Sequence, residues 1–428
     1  MSGRWRAMVV AAAAVVAVSA CASNPPTSAT ASTHRLEVVS WWTSKSESAA
    51  LNDLFAAFRK SNPGVTAVNG AVAGGAGSNA IVELAKRLQR DDPPDVWQTF
   101  AGKSIQEYAS RGVIRSVASI FARERLSATM NPAILEALMQ DGRPYGVPTG
   151  AHRSNVLWFN TKLLERAGVA RPSGGYTVDS FISDLGKIKA SGSTPLCLGA
   201  KDRFTTVELF ENTLLSALGT RGWQDMLHNG LDWRSKQVRA ALSNFGAILR
   251  YADPEASRLT WDQATKKLAA GGCAFESMND SAFGELIADG AHEGKDFDGV
   301  PFPGTDGSYL AVVDVFVAAT KAKDAKNALA FLSAIDDPAT QLAFSKAKGS
   351  IPVVRDVGVS SLTAYQRASS KAFWGSPVLL SVAHGEGLSP DFQEAFYDAV
   401  STYVRTRDPG AFADDLYKWV AQSTVPQR

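Results

Sequence analysis

Apolar and polar positions first fall into a regular pattern at Leu36. Leu36-Glu37-Val38-Val39-Ser40 reads as a short buried strand that runs into Trp41-Trp42 and a polar loop, Thr43-Ser44-Lys45-Ser46-Glu47. Leu51, Leu54, Phe55 and Phe58 then recur at helical spacing over residues 49–60, and Asn62-Pro63-Gly64 stops that helix. Residues 65–72 predict a second strand. After the glycine turn Gly74-Gly75-Ala76-Gly77, Ser78 or Asn79 is placed to cap a helix carrying Ile81, Val82, Leu84, Ala85 and Leu88. Residues 95–100, behind the turn Asp91-Asp92-Pro93-Pro94, predict a third strand. Strand-helix-strand-helix-strand implies a parallel sheet with helices on both faces.

A second α/β stretch follows. Strands are predicted over 155–160, 194–199 and 273–278, and helices over 176–188, 206–218, 235–251 and 261–270. A strand over 312–319, helices over 324–335 and 339–346, and an extended crossing at Gly349-Ser350-Ile351-Pro352 come next. The C-terminal third is helical, ending in a helix over 412–422. There is no internal repeat.

The first residues change the picture of where the chain resides. Arg4 and Arg6 precede an apolar run over 7–18 that is short of the ~20 residues a membrane span needs. It has the charged and apolar regions of a secretory signal. Val18-Ser19-Ala20-Cys21 resembles the lipobox of bacterial lipoproteins, which implies a signal peptide at 1–20, a lipidated Cys21 and, over 21–34, a flexible tether. The expected location is then the outer face of the cytoplasmic membrane, held by lipid. About 390 residues remain, enough for two or three domains. Lys+Arg 44 against Asp+Glu 42 gives a balanced surface without the clustered basic excess of a nucleic-acid partner. Of three cysteines, Cys21 belongs to the lipobox. Cys197 and Cys273 are left as an even pair in an oxidising compartment, either a disulfide or two buried thiols.

Ligands of open α/β sheets gather beyond the carboxyl ends of the strands. Trp41 and Trp42 stand there, followed by hydroxyls and the Glu47 carboxylate. A pyranose wants this mixture of an apolar stacking face and a rim of polar partners. Against it, adjacent strand residues face opposite ways, so one indole of the pair is expected to pack in the core. Other chemistry is not signalled. Gly102-Lys103-Ser104 matches the end of a phosphate-binding loop, but the first glycine of that motif would fall at Trp97. His34, His152, His228, His292 and His384 are scattered without metal-ligand spacing, and no nucleophile elbow or zinc-protease motif is present. Neither an enzyme nor a cofactor is expected.

The lipobox, the tether and the two α/β halves together resemble an extracellular solute-binding protein of an ABC importer, and within that class the glucose/mannose-type sugar binders. The residues that carry the likeness are 39–44 with Glu47; Gln98 before Ala101-Gly102; Gly146-Val147-Pro148 before 152–158; 259–264; Met278-Asn279-Asp280; Asp314 before Phe316; 347–352; and Ala383-His384-Gly385. The resemblance implies a type II, two-lobed periplasmic-binding-protein fold, α/β in class, with a cleft between lobes joined by crossing strands near Pro148, Val312 and Ser350. The first lobe would be 35–147 plus 313–350, and the second 148–312 plus 351–428. It also implies a monomer that binds a sugar and delivers it to permease subunits. Trp41 and Trp42 would form a stacking wall, with Trp42 on the ring and Trp41 its neighbour, Glu47 would reach a sugar hydroxyl, and Gln98, His152, Asp280, Asp314, Lys348 and His384 would be further polar partners. Two positions depart from the family pattern. Ser281 follows Asp280 where a tryptophan is frequent, removing a stacking face, and Phe100 stands where some members have histidine. Alternatives are an oligosaccharide, glycerol phosphate with Arg153 as its one obvious cation, or a secreted carbohydrate-active enzyme using Asp280 and Asp314.

Overall fold

The structure is a computed structural model and describes residues 34–355 and 357–423. The expected signal peptide and Cys21 lie outside the described residues.

The first sheet begins as the periodicity predicts. β1 (His34–Val39) pairs in parallel with β2 (Val65–Asn69) on one side and β3 (Val96–Phe100) on the other. The crossovers are α1 (Lys45–Ser61) and α2 (Ser78–Gln89). Between β3 and the next strand of this sheet come α3 (Lys103–Ser110), the short helices α4 (Ala118–Glu124), α5 (Leu126–Thr129) and α6 (Pro132–Ala137), and a small hairpin of β4 (Met139–Gln140) and β5 (Arg143–Pro144). The sheet then continues through β11 (Tyr309–Ala318), which pairs antiparallel with β3 and with β6 (Val147–Arg153), and in parallel with β12 (Val378–Leu380). All of β11 is buried, as a strand covered on both faces must be. Its register against β6 shifts between Asp314 and Val315, a bulge that re-aims the Asp314 side chain.

The second sheet runs β10 (Phe297–Pro301), β7 (Val156–Asn160), β9 (Phe275–Ser277), β8 (Leu196–Cys197). The helices that follow these strands are α7 (Thr161–Arg166), α8 (Val178–Ala190), α9 (Arg203–Leu227), α10 (Lys236–Leu249), α11 (Trp261–Ala269) and α12 (Ser281–Ala288). The helix expected to stop at 218 extends further because α9 resumes after a break at Gly219, where φ is 65° and only glycine is at ease. α13 (Ala325–Asp336) and α14 (Pro338–Lys348) pack on α1 and β6, and after α15 (Ala364–Gly375) the last helices, α16 (Pro390–Thr406) and α17 (Pro409–Ser423), pack together, with α16 against α9.

Two hydrophobic cores result. Trp42, Phe58, Trp97, Phe316 and Phe331 belong to the first, and Trp158, Phe181, Phe210, Trp223 and Phe275 to the second. The cores divide the chain somewhat differently from the sequence boundaries. β6, placed by sequence in the second lobe, is a strand of the first sheet, and Ile351, Val353, Val354, Val357 and Phe373 pack in the first core. The crossing strands β6 and β11 are buried along their whole length, so no exposed residue marks where the chain changes cores.

Cys197 and Cys273 are joined as a disulfide, with Cα atoms 5.6 Å apart and a sequence separation of 76. It ties β8 to the residues leading into β9. Closing a loop of this length restricts the unfolded chain, so reduction is expected to cost about 2–4 kcal/mol. Thermal melts with and without reductant, beside a Cys197→Ser/Cys273→Ser variant, measure this. Two free thiols in the unreduced, unfolded protein would contradict the pairing.

Glu276 is buried in the second core, with Oε1 accepting from the Thr265 hydroxyl at 3.1 Å and Oε2 without a partner among the described residues. Burial pushes its carboxyl up to about 8 from an ordinary value of 4.5. The folded protein therefore holds a proton that the unfolded chain releases. The corresponding stabilisation is present below the unfolded value and disappears as pH rises through about 8. The melting temperature is expected to fall between pH 5 and pH 8.5 by less in Glu276→Gln than in the parent. Parallel slopes for the two proteins would exclude the assignment.

Candidate functional site

A small cavity, with about 30 Å³ of free room, lies between the two cores, beyond the carboxyl ends of β1 and β3. From the first core it is walled by Trp41, Trp42, Glu47, Phe100, Asp314 and Lys348, with His152 from β6. Trp261, Phe204, Asn279, Ser281 and His384 close it from the other side.

The two tryptophans are not equivalent. Trp42, 1% exposed, packs against Phe316 and Phe344 with ring centroids 5.5 and 5.2 Å away, and the Lys348 ammonium lies 5.8 Å from its ring centre. It is a core side chain with one edge on the cavity. Trp41 lies against Phe100, with centroids 5.0 Å apart, and borders adjoining parts of the cleft as well. The loop before α2 presses on its indole. Gly77 has φ 78°, and a Cβ there would stand 2.7 Å from the ring, so glycine is required twice over.

The polar groups form a connected set. Glu47 is the third residue of α1 and reaches back to the N–H groups of Thr43 and Ser44, both at 3.3 Å, as a capping-box glutamate does. Its other oxygen is 3.5 Å from Lys348 Nζ, which donates to Ser281 Oγ at 2.7 Å. Asp314 Oδ1 accepts from Gln98 Nε2 at 2.7 Å, and its Oδ2 is 3.4 Å from His152 Nε2. The other ring nitrogen of His152 donates to Asp280 Oδ1, while Asp280 Oδ2 accepts from the Arg153 N–H at 3.1 Å and the Tyr365 hydroxyl at 3.3 Å.

Burial and these partners set the charges. Burial alone raises the Asp314 carboxyl, but the His152 hydrogen bond and the Lys348 charge outweigh it and hold it below the usual carboxylate range. Burial and Lys348 favour neutral His152, yet Asp280 and Asp314 outweigh both and raise it. Burial raises Glu47 against the pull of Lys348. His384 is pushed down to about 3 by burial and is neutral at physiological pH.

Of the nine residues expected at the site, Trp41, Trp42, Glu47, His152, Asp314, Lys348 and His384 reach the cavity wall. Gln98 and Asp280 stand one layer behind. Gln98 holds Asp314 and accepts the Trp41 N–H at 3.3 Å, and Asp280 holds His152. With both oxygens engaged, Asp280 cannot face Asp314 across the cavity as a hydrolytic pair. Arg153 is likewise turned away, donating to Ser308 O at 3.0 Å and Asn155 Oδ1 at 3.2 Å.

The sequence reading missed Trp261, Phe204, Asn279 and Ser281 as wall residues. Trp261 begins α11 and, with Phe204, supplies the aromatic face that Ser281 appeared to remove. The signal was present in the Thr260-Trp261-Asp262 segment, but only the distant packing of α11 shows where the indole goes. Phe100 makes the first-core wall apolar where a histidine would be polar, and the His384 ring stands edge-on between Phe100 and Phe204, 5.3 and 5.5 Å away.

A few contacts bridge the cores beside the cavity. Ser44 Oγ and Ser46 N–H, at the start of α1, donate to Glu285 Oε1 of α12 at 2.6 and 2.8 Å. At the mouth, the backbone at Gly75 lies so close to Asp202 and Phe204 that a Cβ would be 2.7 Å from each. No group of three or more metal-ligating side chains occurs among the described residues.

Two α/β cores joined by crossing strands, with a polar and aromatic cavity enclosed between them, define a two-lobed receptor fold of the type II periplasmic-binding-protein kind. The family model for bacterial extracellular solute-binding proteins matches residues 42–341. A probable sugar-binding periplasmic protein of Mesorhizobium japonicum is 30% identical over 377 residues, covering 86% of this chain and 88% of its own. A xylose/arabinose-binding protein of Haloferax volcanii is 26% identical, covering 83% and 78%. Among solved structures, the bacterial solute receptor AcbH, described as having an exclusive preference for β-D-galactopyranose, superposes with TM-score 0.79 at 18% identity, over 92% of this chain and 100% of that one. The chain belongs to the bacterial extracellular solute-binding proteins.

The two tryptophans make separable predictions. Trp42→Ala empties a packed core site and is expected to lower stability by about 3–5 kcal/mol. Trp41→Ala is expected to weaken ligand binding more than tenfold with a smaller loss of melting temperature. Melts and calorimetric titration of both variants check this, and equal melting losses with unchanged affinity in Trp41→Ala would contradict it.

Proposed function

We propose that this chain is the substrate-binding component of an ABC importer, that it captures a single pyranose of the glucose/mannose type, and that it presents the sugar to permease subunits. The observation that carries the reading is the pairing of aromatic faces with polar groups on the cavity wall. The cavity's free room, about 30 Å³, is too small for a sugar ring as it stands, so a sugar would enter with the cores parted, and the chemistry of the lining rather than its volume supports a sugar. Trp41 and Trp261 offer apolar faces, while Glu47, Asp314, Lys348 and His384 supply acceptors and donors for hydroxyls. Lys348 and His152 offset the carboxylates, so the cavity suits a neutral polyol. A phosphate ester would want arginines, and Arg153 is engaged elsewhere. Relatives named for sugar binding support the same class.

The two cores would be the two lobes, hinged at β6, at β11 and near the end of the first core, and a sugar that touches both stabilises the closed form. Cys21 would carry the lipid that keeps the receptor beside its permease. Cys21→Ser is expected to release the protein from membranes or leave it unprocessed, which fractionation and mass spectrometry read directly.

Calorimetric titration with glucose, mannose, galactose, xylose, arabinose, raffinose and glycerol 3-phosphate tests the ligand class. A monosaccharide is expected to bind best, and Asp314→Ala and His384→Ala are each expected to weaken it about tenfold or more by leaving hydroxyls without partners. Tightest binding of raffinose would replace the monosaccharide reading with an oligosaccharide one, and tightest binding of glycerol 3-phosphate would overturn the neutral-ligand reading.

A further inference from the structure

A buried acid that no part of the sugar reading uses lies directly behind the cavity wall. Glu208 is on α9, one turn on from the wall residue Phe204. It is fully buried, and its Oε2 accepts from Asn279 Nδ2 at 3.0 Å and lies 3.7 Å from His384 Nε2. Its Oε1 has no partner among the described residues. Both groups that it touches are wall residues, so one carboxyl oxygen stands behind two of the polar groups offered to a ligand.

The state of the His384 ring follows from its neighbours. His384 Nδ1 is 3.0 Å from Ser381 Oγ, and that hydroxyl also faces both oxygens of Glu211 at 3.0 Å. Glu211 further accepts from the N–H groups of Val382 at 2.7 Å and Ala383 at 2.9 Å and from Ser154 Oγ at 3.2 Å. Burial pushes Glu211 up to about 7, so above that pH it is a carboxylate, and the single Ser381 proton goes to it. Ser381 Oγ then accepts from His384 Nδ1–H, and Nε2 is left with a lone pair. Glu208 decides whether it stays so. An ionised carboxylate 3.7 Å away would draw a proton onto Nε2 and turn an acceptor into a donor. Burial, reinforced by the Glu211 charge, raises Glu208 well above its ordinary value and favours its neutral form. Asn279 is fixed from both ends, because its Oδ1 accepts from the Ser281 N–H at 3.0 Å while one amide hydrogen goes to Glu208.

We propose that Glu208 is a positioning residue that sets the hydrogen-bond polarity of this side of the cleft: it presents His384 Nε2 as an acceptor beside the remaining Asn279 N–H, so that the group recognised here is a free hydroxyl. A hydroxyl donates to the first and accepts from the second. An ether or a methylated oxygen at that place has no proton for Nε2. This inference rests on the sugar reading for its ligand, but the ring state it requires does not. Ser381, Glu211, Glu208 and Asn279 surround His384 whether or not a ligand is present.

Two measurements test it. Nitrogen-15 NMR of the histidine rings of the full chain at pH 8.5, assigned with His384→Gln, is expected to show His384 protonated at Nδ1. Protonation at Nε2 overturns the proposal. Calorimetric titration with the best-binding monosaccharide then compares Glu208→Gln, a neutral isostere, with Glu208→Ala, alongside thermal melts. Gln is expected to stay within about threefold of the parent, and Ala to lose about tenfold or more because the Asn279 amide loses its partner. Parent affinity in a folded Glu208→Ala protein overturns the proposal, and so does an equal loss in a folded Glu208→Gln. Should Glu208→Ala not fold, the ring measurement on the unaltered protein still decides. A parent protein that binds none of the monosaccharides defeats the sugar reading instead, and the ring measurement again decides the role of Glu208.

Discussion

The chain of opposite charges from Asp280 through His152 to Asp314 is the constraint on which the arrangement of the two cores depends. All three groups are buried, and removing an ion from water costs several kcal/mol unless it is paired with good geometry. The three meet that condition only together: His152 comes from β6, Asp314 from the bulge of β11, and Asp280 from the end of the second sheet. The Arg153 N–H, next to His152, also donates to Asp280. The relay therefore sits at the crossing between cores, where chain connectivity holds its members near one another. It fixes the charge of the cavity floor and fixes Asp314 as a carboxylate, and the aromatic walls are arranged above it.

The first half of the fold was legible because its signals are local. Helical spacing in α1 and α2, the turn residues between them and the apolar strands require nothing beyond a window of a dozen residues. The same window led to Trp41, Trp42 and Glu47. It put Trp42 on the ring with Trp41 beside it, whereas Trp42 is the one packed in the core. Strand alternation says that one of the pair faces a core, but which one depends on Phe316 and Phe344, roughly 270 and 300 residues away in sequence. Gln98 and Asp280 were legible as polar residues near the site and illegible as supports, since only the partners of their oxygens separate a wall residue from one behind it. Trp261 and Phe204 were lost for the converse reason: each sits in an ordinary amphipathic helix, and nothing local says that the helix end meets a cavity. The lobe boundaries blur where the crossing strands are buried on both faces.

Packing and polarity answer to each other around the cleft. Where the family pattern loses a tryptophan at Ser281, the small side chain lets the Lys348 ammonium come within 2.7 Å of its hydroxyl, and the aromatic surface is supplied by Trp261 and Phe204 instead. Where it loses a histidine at Phe100, the ring packs on both Trp41 and His384 and makes the surroundings of His384 drier. A drier setting is what pushes His384 down to about 3, and the same dryness raises Glu208. One aromatic substitution thus helps to keep a ring nitrogen available as an acceptor, with no polar contact of its own.

Closure is held by contacts that do not involve the cavity wall alone. Glu285 accepts from the first turn of α1, where backbone N–H groups lack helical partners and a carboxylate is favoured by the helix dipole. Gly75 meets Asp202 and Phe204 backbone-close at the mouth. Each of these contacts exchanges protein–water hydrogen bonds for protein–protein ones, and the net gain of such an exchange is about 0.5–1.5 kcal/mol per bond. If the lobes hinge as proposed, a few such contacts would hold the closed form only weakly. A ligand then needs only modest differential affinity to shift the population, because each 1.4 kcal/mol is about tenfold. A receptor closed too firmly on its own would neither admit its solute nor give it up.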